Sequence, residues 1–224
     1  VTAVLGVVAA LEMERRWIVA PEPLVETSGV GAERAGSAAR RLLNRGAGAL
    51  VSWGIAGGLD PKIGPGTVVL PKTVIGADGS RHEVDPGWHG RLLAKIRDRV
   101  DVSTSDLLHA ARPIVTAEEK FELHRRSGAG AVDMESAAVA AIAGHAGNPF
   151  IAVRAVVDAA TTSVPVAALK MFDEGGRLKR RSLLRLVLRP LAWPVLVALA
   201  RANAAAGRSM RRVWSAAGPD LGLS

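Results

Sequence analysis

Apolar residues in this chain come in continuous runs rather than in strict alternation. Residues 3–10 (AVLGVVAA), 49–53 (ALVSW) and 150–157 (FIAVRAVV) are almost unbroken, as strands covered on both faces of an α/β sheet are. A fourth run, 67–75 (TVVLPKTVI), carries Pro71; a proline cannot donate to a ladder, so this strand is expected at or near an edge. Between the runs the period becomes helical. Glu33 to Arg45 places Ala35, Ala38, Ala39, Leu42 and Leu43 on one side, after an extended LVETSGVG from Leu24. Further helices are predicted over 88–99, over 116–126 with Thr116 as N-cap and Glu119 as its box partner, and over the Ala-rich stretch after Glu135 that Gly147-Asn148-Pro149 ends. Pro113–Val115 reads as a short strand. Strands alternating with helices build crossover units. The expected fold class is therefore α/β.

The pattern changes at Arg177. Leu178, Leu183, Leu184, Val187, Leu188, Leu191 and Trp193 are interleaved with Lys179, Arg180, Arg181, Arg185 and Arg189. Arg185, Arg189, Pro190 and Pro194 interrupt any long apolar run, which argues against a membrane span. Two parts are expected: a catalytic domain over 1–176 and a basic amphipathic helical extension over 177–224. Such a helix suits an anionic bilayer surface, and equally an ordinary terminal helix packed on the body or on a partner subunit.

At 224 residues and 49% hydrophobic content the chain can bury the core of one α/β domain. Cysteine is absent, which removes a disulfide frame and a thiolate metal site. The opening VTAVLGVVAALEMERR puts its charges after the apolar strand, the reverse of a targeting segment. A cytoplasmic protein, peripheral to the inner face of the membrane, is expected. The net charge of +8 is local: ten of the 29 Lys and Arg fall between Arg177 and Arg212 with no acid among them, leaving 19 basic against 21 acidic residues elsewhere. A nearly neutral body argues against nucleic-acid binding.

Candidate chemistry concentrates at strand ends. Glu135 at a helix entrance and Asp158 at the carboxyl end of the next strand both face the rim where open α/β sheets bind ligands, although a helix N-terminus also favours acids for its own sake. Glu12 and Glu14 follow the first strand, as site acids or as a solvated helix start beside Arg15 and Arg16. Gly54-Ile55-Ala56-Gly57-Gly58 follows the strand at 49–53; such glycines let a backbone approach a ligand, or simply make a tight turn. Gly29, Gly31 and Gly36 lack the spacing of a dinucleotide fingerprint, so no nicotinamide cofactor is expected. His82, Glu83, Asp85 and His89 do not form H-E-x-x-H, and no metal is expected. There is no G-x-S-x-G elbow.

Taken in order, these segments resemble the purine nucleoside phosphorylase and nucleosidase superfamily. The resemblance rests on the strand ending in Glu12-Met13-Glu14, the Ser28–Gly31 turn, WGIAGGLDPKIGPGTVVLP at 53–71, AVDMESAAVA at 131–140 and FIAVRAVVDAA at 150–160. Within the superfamily the chain is most similar to the hopanoid-associated phosphorylases, because GIAGGLDP, AVDMESAAVA and a Leu/Arg/Pro/Trp-rich tail occur together. The resemblance implies an α/β three-layer sandwich with a central mixed β-sheet, and cleavage of the bond between ribose and a purine, with no cofactor and with phosphate as the alternative to water. It would make Asp158 the acid at purine N7 and Glu14 the carboxylate that activates water. Glu135 would hold the ribose hydroxyls, with Met134 under the sugar. Gly54, Ile55, Ala56 and Gly57 would line the nucleophile side, and Val115 and Phe121 the base. Phosphate-using members carry an Arg and a Ser where this chain has Ser52 and Ile55, which favours water; Arg15, Arg16 or Arg34 are other sources of a cation. The implied substrate is adenosylhopane, a lipid-linked nucleoside that would lose adenine, with membrane contact through 177–212 and a homo-oligomeric assembly. The alternatives are a soluble methylthioadenosine or adenosylhomocysteine nucleosidase and a non-catalytic nucleoside-binding or membrane-adapter protein.

The residue types suit this chemistry independently. As the bond breaks, positive charge grows on the sugar and negative charge on the base, so an uncharged acid at the base and carboxylates near the sugar act where charge develops. The apolar run before Asp158 would raise its pKa by desolvation. Arg154, four residues and roughly 13 Å away along an extended chain, is too far to pair with it.

Overall fold

Strand β3 (Ala49–Gly58) is the spine of the sheet and carries a different partner at each end of one edge. The computed structural model describes residues 3–19, 23–164 and 193–224, the last segment with side chains from Val197 onward. The first half of β3 pairs in parallel with β1 (Leu5–Ala9), from Leu5 opposite Ala49 to Ala9 opposite Trp53. Its second half pairs antiparallel with β9 (Ala131–Asp133) at Gly57 and Gly58. Along the other edge β10 (Phe150–Asp158) runs parallel to it, with an irregularity between Val156 and Asp158. Beyond β1 lies β2 (Leu24–Thr27). Beyond β10 lie β4 (Val68–Val69) and β7 (Val102–Ser103). Beyond β9 lie β8 (Leu107–His109), β5 (Thr73–Ile75) and β6 (Arg81–Glu83). Among the described residues this is a ten-stranded mixed sheet.

Helices flank it. α2 (Ala32–Asn44) and α5 (Ser136–His145) pack on each other and on β1 and β3. α3 (Pro86–Ile96) packs on α6 (Trp193–Ala217), which lies on β10 and β4. Small residues set the close approaches. A Cβ on Gly6 would come within 2.9 Å of Ala47 Cβ and Leu50 Cδ2, and one on Gly36 within 3.9 Å of Ala138 and Ile142. The α/β class expected from the pattern, and the three-layer sandwich with a mixed sheet that the resemblance implies, are the observed architecture.

Several expected boundaries change, each for a local reason. The glycine segment 54–58 is no loop: it continues β3, because β10 and β9 take up its backbone groups on both edges. The run 67–75 breaks around Pro71 into β4, which sits between β10 and β7, and β5, which joins β8 on the far side of the sheet. Pro113–Val115 forms no strand; Leu107–His109 takes that place. Asp85 caps α3, Oδ1 accepting from Trp88 N at 2.7 Å with Pro86 at the first turn. Thr116 caps α4 (Ala117–Ser127) by accepting from Glu119 N at 3.2 Å, while the Glu119 carboxylate turns to Arg112 instead of closing the box.

The segment 177–192, on which the membrane-docking expectation chiefly falls, lies outside the described residues. From Ala206 onward the apolar face of α6 is taken up by the body: Ala206, Met210, Val213, Trp214 and Ala217 are buried in the main core. The Trp214 indole meets Trp53 edge-on, centroids 5.7 Å apart, and donates to Val19 O at 2.7 Å. Trp17 fills the space over Gly207, where a Cβ would lie 2.8 Å from its Nε1. From α3, Trp88, Arg91 and Lys95 donate to the carbonyls of Leu221, Gly222, Leu223 and Ala217. No helix among the described residues is long and apolar enough to cross a membrane. Trp53 also donates to Glu14 O at 3.2 Å, so α6 buttresses the turn that carries Glu14.

Trp214→Ala is expected to cost about 3–5 kcal/mol in chemical denaturation, the range for removing a buried aromatic side chain. A loss below about 1 kcal/mol would show that α6 is not part of the core.

Candidate active site

Directly after β1 the chain makes one helical turn, α1 (Glu12–Arg15). Its third position folds back: the Glu14 carboxylate accepts from Leu11 N at 2.7 Å and, across to β3, from Ile55 N at 2.9 Å. Glu14 is fully buried as a result. Gly54 lies beneath it. A Cβ there would stand 2.6 Å from Arg154 Nη1 and closer still to Glu14 Oε1, so glycine is required for the two charged groups to meet over β3.

Arg154 comes from the middle of β10 and is fully buried. Its Nη2 pairs with Asp133 Oδ2 at 2.7 Å and donates to Ser52 Oγ at 2.6 Å; Nε reaches Ser136 Oγ at 3.2 Å and Nη1 reaches Ile55 O at 3.5 Å. Glu135 Oε2 lies 3.8 Å from Nη2. The other Glu135 oxygen accepts from Gly31 N at 2.9 Å. Gly31 has φ +106° and begins α2; that left-handed conformation, natural to glycine, turns its N–H into the site. Met134, half-buried, directs its backbone N to Glu135 Oε2 at 3.4 Å. At the same rim His109 Nδ1 is buried without a hydrogen-bond partner, 4.0 Å from Asp133 Oδ1. Burial pushes this imidazole down, against the pull of Asp133, and favours the neutral ring.

Three carboxylates thus surround one guanidinium out of water, an excess of negative charge. Burial pushes the Glu135 carboxyl up to about 7, with Arg154 drawing it down and Asp133 raising it further. Burial likewise raises Glu14, with Arg154 opposing.

Asp158 stands further along the same strand. The irregularity after Val156 sets it opposite Gly57, where a Cβ would lie 3.4 Å from Asp158 Oδ2; a Cβ on Gly58 would lie 3.1 Å from Asp158 O. Its partner is Lys120 of α4, fully buried, whose Nζ contacts Asp158 Oδ2 and donates to Ala159 O at 2.9 Å and Thr162 O at 2.8 Å. Burial raises the Asp158 carboxyl and Lys120 pulls it back.

Glu14, Glu135 and Met134 are therefore grouped on Arg154 at Gly54, with Ile55 supplying an N–H to Glu14. Asp158 lies three residues on, about 10 Å along β3 at ordinary strand rise, with Ala56 and Gly57 between. Val115 is half-buried before α4, its carbonyl accepting from Val164 N at 2.8 Å. Phe121 is 60% exposed on α4 and is not brought to the site. A cation at the Glu14 end is Arg154. Ser52, read from the sequence as a lost arginine position, is an acceptor for that Arg. An arginine inside an unbroken apolar run was the available signal, since a buried guanidinium needs acidic partners and Asp133 and Glu135 sit in a second apolar neighbourhood. Lys120 gave no such signal. Among the described residues no group of three or more His, Asp or Glu is arranged to hold a metal ion.

A carboxyl raised from 4.5 to about 7 stays protonated in the folded protein while the unfolded chain has lost its proton. Its contribution to stability is full below about 4.5 and is lost as pH rises through about 7. The melting temperature should fall less steeply across that interval in Glu135→Gln than in the parent; identical slopes would contradict the buried carboxyl cluster.

Residues 8–192 match the family model described as the phosphorylase superfamily. Among curated proteins there is no match. Similar solved structures include the 5′-methylthioadenosine/S-adenosylhomocysteine nucleosidase of Neisseria meningitidis (19% identity, 92% of this chain and 97% of that one, TM-score 0.67). The futalosine hydrolase of Helicobacter pylori (14%, 96% and 98%, 0.70) and the S-adenosylhomocysteine nucleosidase of Streptococcus pyogenes (16%, 95% and 96%, 0.68) are others. At these identities the likeness is one of fold. The expected likeness to hopanoid-associated phosphorylases is corrected by these neighbours, which are named as methylthioadenosine/adenosylhomocysteine nucleosidases and a futalosine hydrolase; the tail composition that suggested it lies mostly in 177–192. Because the family model spans most of its length, the chain belongs to the phosphorylase superfamily.

Proposed function

We propose that the protein is a hydrolase of the N-glycosidic bond of a purine nucleoside, with substrates of the soluble methylthioadenosine and adenosylhomocysteine type. The family and the names of the fold neighbours support the bond and the substrate class. The choice of water over phosphate is carried by one observation: the Arg154 guanidinium is already directed at acceptors of the protein itself, namely Asp133, Ser52, Ser136 and Ile55 O. A phosphate arriving at Gly54 would find those donors engaged and the Glu14 carboxylate facing it. Water is the nucleophile that such a place accommodates.

In this reading the ribose lies over Gly54 and the base over Gly57. Glu135 accepts from the ribose hydroxyls, and Met134 packs beneath the sugar. As the C1′–N9 electron pair moves onto the purine, Asp158 gives its proton to N7, and the buried carboxylates at the other end favour the growing positive charge on the sugar. Water adds to C1′ and passes its proton to Glu14. Burial raises the pKa of both acids, which makes Glu14 a stronger base once ionised and keeps Asp158 protonated to higher pH.

Asp158→Asn and Glu14→Gln should each lower kcat by about 10²–10⁴-fold, the scale of general acid–base catalysis, with KM changed far less. Free adenine from methylthioadenosine and adenosylhomocysteine, with futalosine as comparison, is the readout. The rate should not depend on added phosphate. Product formation proportional to phosphate, yielding the sugar 1-phosphate, would overturn the hydrolytic assignment; no free base from any of the three would overturn the substrate class.

A further inference from the structure

We propose that the outer face of α6 is an adsorption surface for an anionic phospholipid bilayer. The proposal concerns where the protein sits and does not rest on the nucleosidase reading above. Between Trp193 and Ala217 the helix carries four charges, Arg201, Arg208, Arg211 and Arg212, and no acid. All four are exposed, and among the described residues none is hydrogen-bonded or ion-paired. At 3.6 residues per turn they fall within about 100° of arc, and at 1.5 Å per residue they extend over about 16 Å. Ala206, Met210, Val213, Trp214 and Ala217 occupy the opposite arc and are buried in the main core. The core therefore fixes which way the arginines face, as a straight row of like charge on the solvent side.

The chain around the row adds to its charge. From Gly175 to Pro219 there is no Asp or Glu. Asp220, the next acid, accepts from Gly222 N and from Ser224 N and Oγ. α3 packs on α6, and its exposed Arg91 and Lys95 donate to the carbonyls of Gly222, Leu223 and Ala217. Like charges aligned in this way repel one another and draw counter-charge to the surface.

The residue types favour a bilayer over other polyanions. In sequence the row follows six more Lys and Arg between Arg177 and Arg189, interleaved with Leu178, Leu183, Leu184 and Leu188. Basic residues mixed with aliphatic ones suit the headgroup boundary, where cations meet phosphate and apolar side chains meet acyl chains. Nucleic acid is held by aromatic platforms and by polar side chains that reach base edges. The other exposed residues of α6 are Val197, Ala198, Ala200, Ala204 and Ser215, which offer no aromatic platform. From Ala206 onward α6 adsorbs rather than inserts, because its apolar side is committed to the core.

The test is sedimentation of the full chain with vesicles of phosphatidylcholine containing about 30% phosphatidylglycerol, against pure phosphatidylcholine. The parent should pellet with the anionic vesicles alone, and about 0.5 M salt should release it, because screening shortens the reach of exposed charges. Each arginine at such a surface is worth roughly fivefold in partition. The combined variant Arg201→Gln, Arg208→Gln, Arg211→Gln and Arg212→Gln should therefore bind at least about tenfold more weakly, with the melting temperature of the parent. Replacing the same four by Lys, which keeps the charge, should leave binding as it is. No pelleting of the parent, equal pelleting with neutral vesicles, a glutamine variant that binds within that factor, or a lysine variant that does not bind would each overturn the proposal. Release of bound parent by RNA at the same phosphate concentration would assign the row to nucleic acid and overturn it as well. Absence of free base from every purine nucleoside would defeat the nucleosidase reading and leave the pelleting result, which does not depend on turnover, as the judge of this one.

Discussion

A guanidinium sealed inside the sheet is the constraint on which the rest of this molecule depends. Arg154 is out of water in the middle of a strand, and a buried charge is tolerated only with paired and hydrogen-bonded surroundings. That requirement explains why Asp133 ends β9 where it does, why Ser136 begins α5, why Ser52 interrupts an apolar strand, and why Gly54 has no side chain. It also gathers more carboxylates than one cation neutralises. The surplus lies at Glu14 and Glu135, where a developing cation on a sugar would be favoured.

The two charged centres share one backbone. Arg154 and Glu14 converge over Gly54, Asp158 with its partner Lys120 stands opposite Gly57, and β3 fixes the interval between them. Its position is secured from behind. Trp53 donates to the carbonyl of Glu14, Trp214 stands against Trp53, and Trp17 packs over Gly207. The C-terminal helix therefore takes part in the same core as the site and contributes to the placement of the first acid.

Long apolar runs and well-capped helices were legible because burial on both faces and cap chemistry leave marks within a few residues. β1, β10 and α4 follow that rule, while α2 and α5, which have no side-chain cap, were read from a one-sided apolar period and from alanine content. Strands β6, β7 and β8, of two or three residues, are too short to show a period and exist only through their neighbours. Gly54 to Gly58 reads as a turn in isolation and becomes a strand because partners on both edges use its backbone. The acids at 14, 135 and 158 could be named from their places at strand and helix ends. Their partners could not: a lysine in a polar helical stretch looks solvated, and only the packing of α4 against the end of β10 places Lys120 on Asp158. Phe121, chosen for its aromatic ring one position later, points outward. The hopanoid likeness leaned on GIAGGLDP and AVDMESAAVA occurring together with a tail of particular composition, and composition does not specify what a site binds.

The most direct test of the central claim is a crystal structure with adenine and a cationic ribose mimic bound. The account predicts purine N7 within hydrogen-bond distance of Asp158, the mimic's hydroxyls on Glu135, and a water between Glu14 and the position of C1′ above Gly54. An anion seated on Arg154 in place of that water, or a base bound away from Gly57, would contradict it.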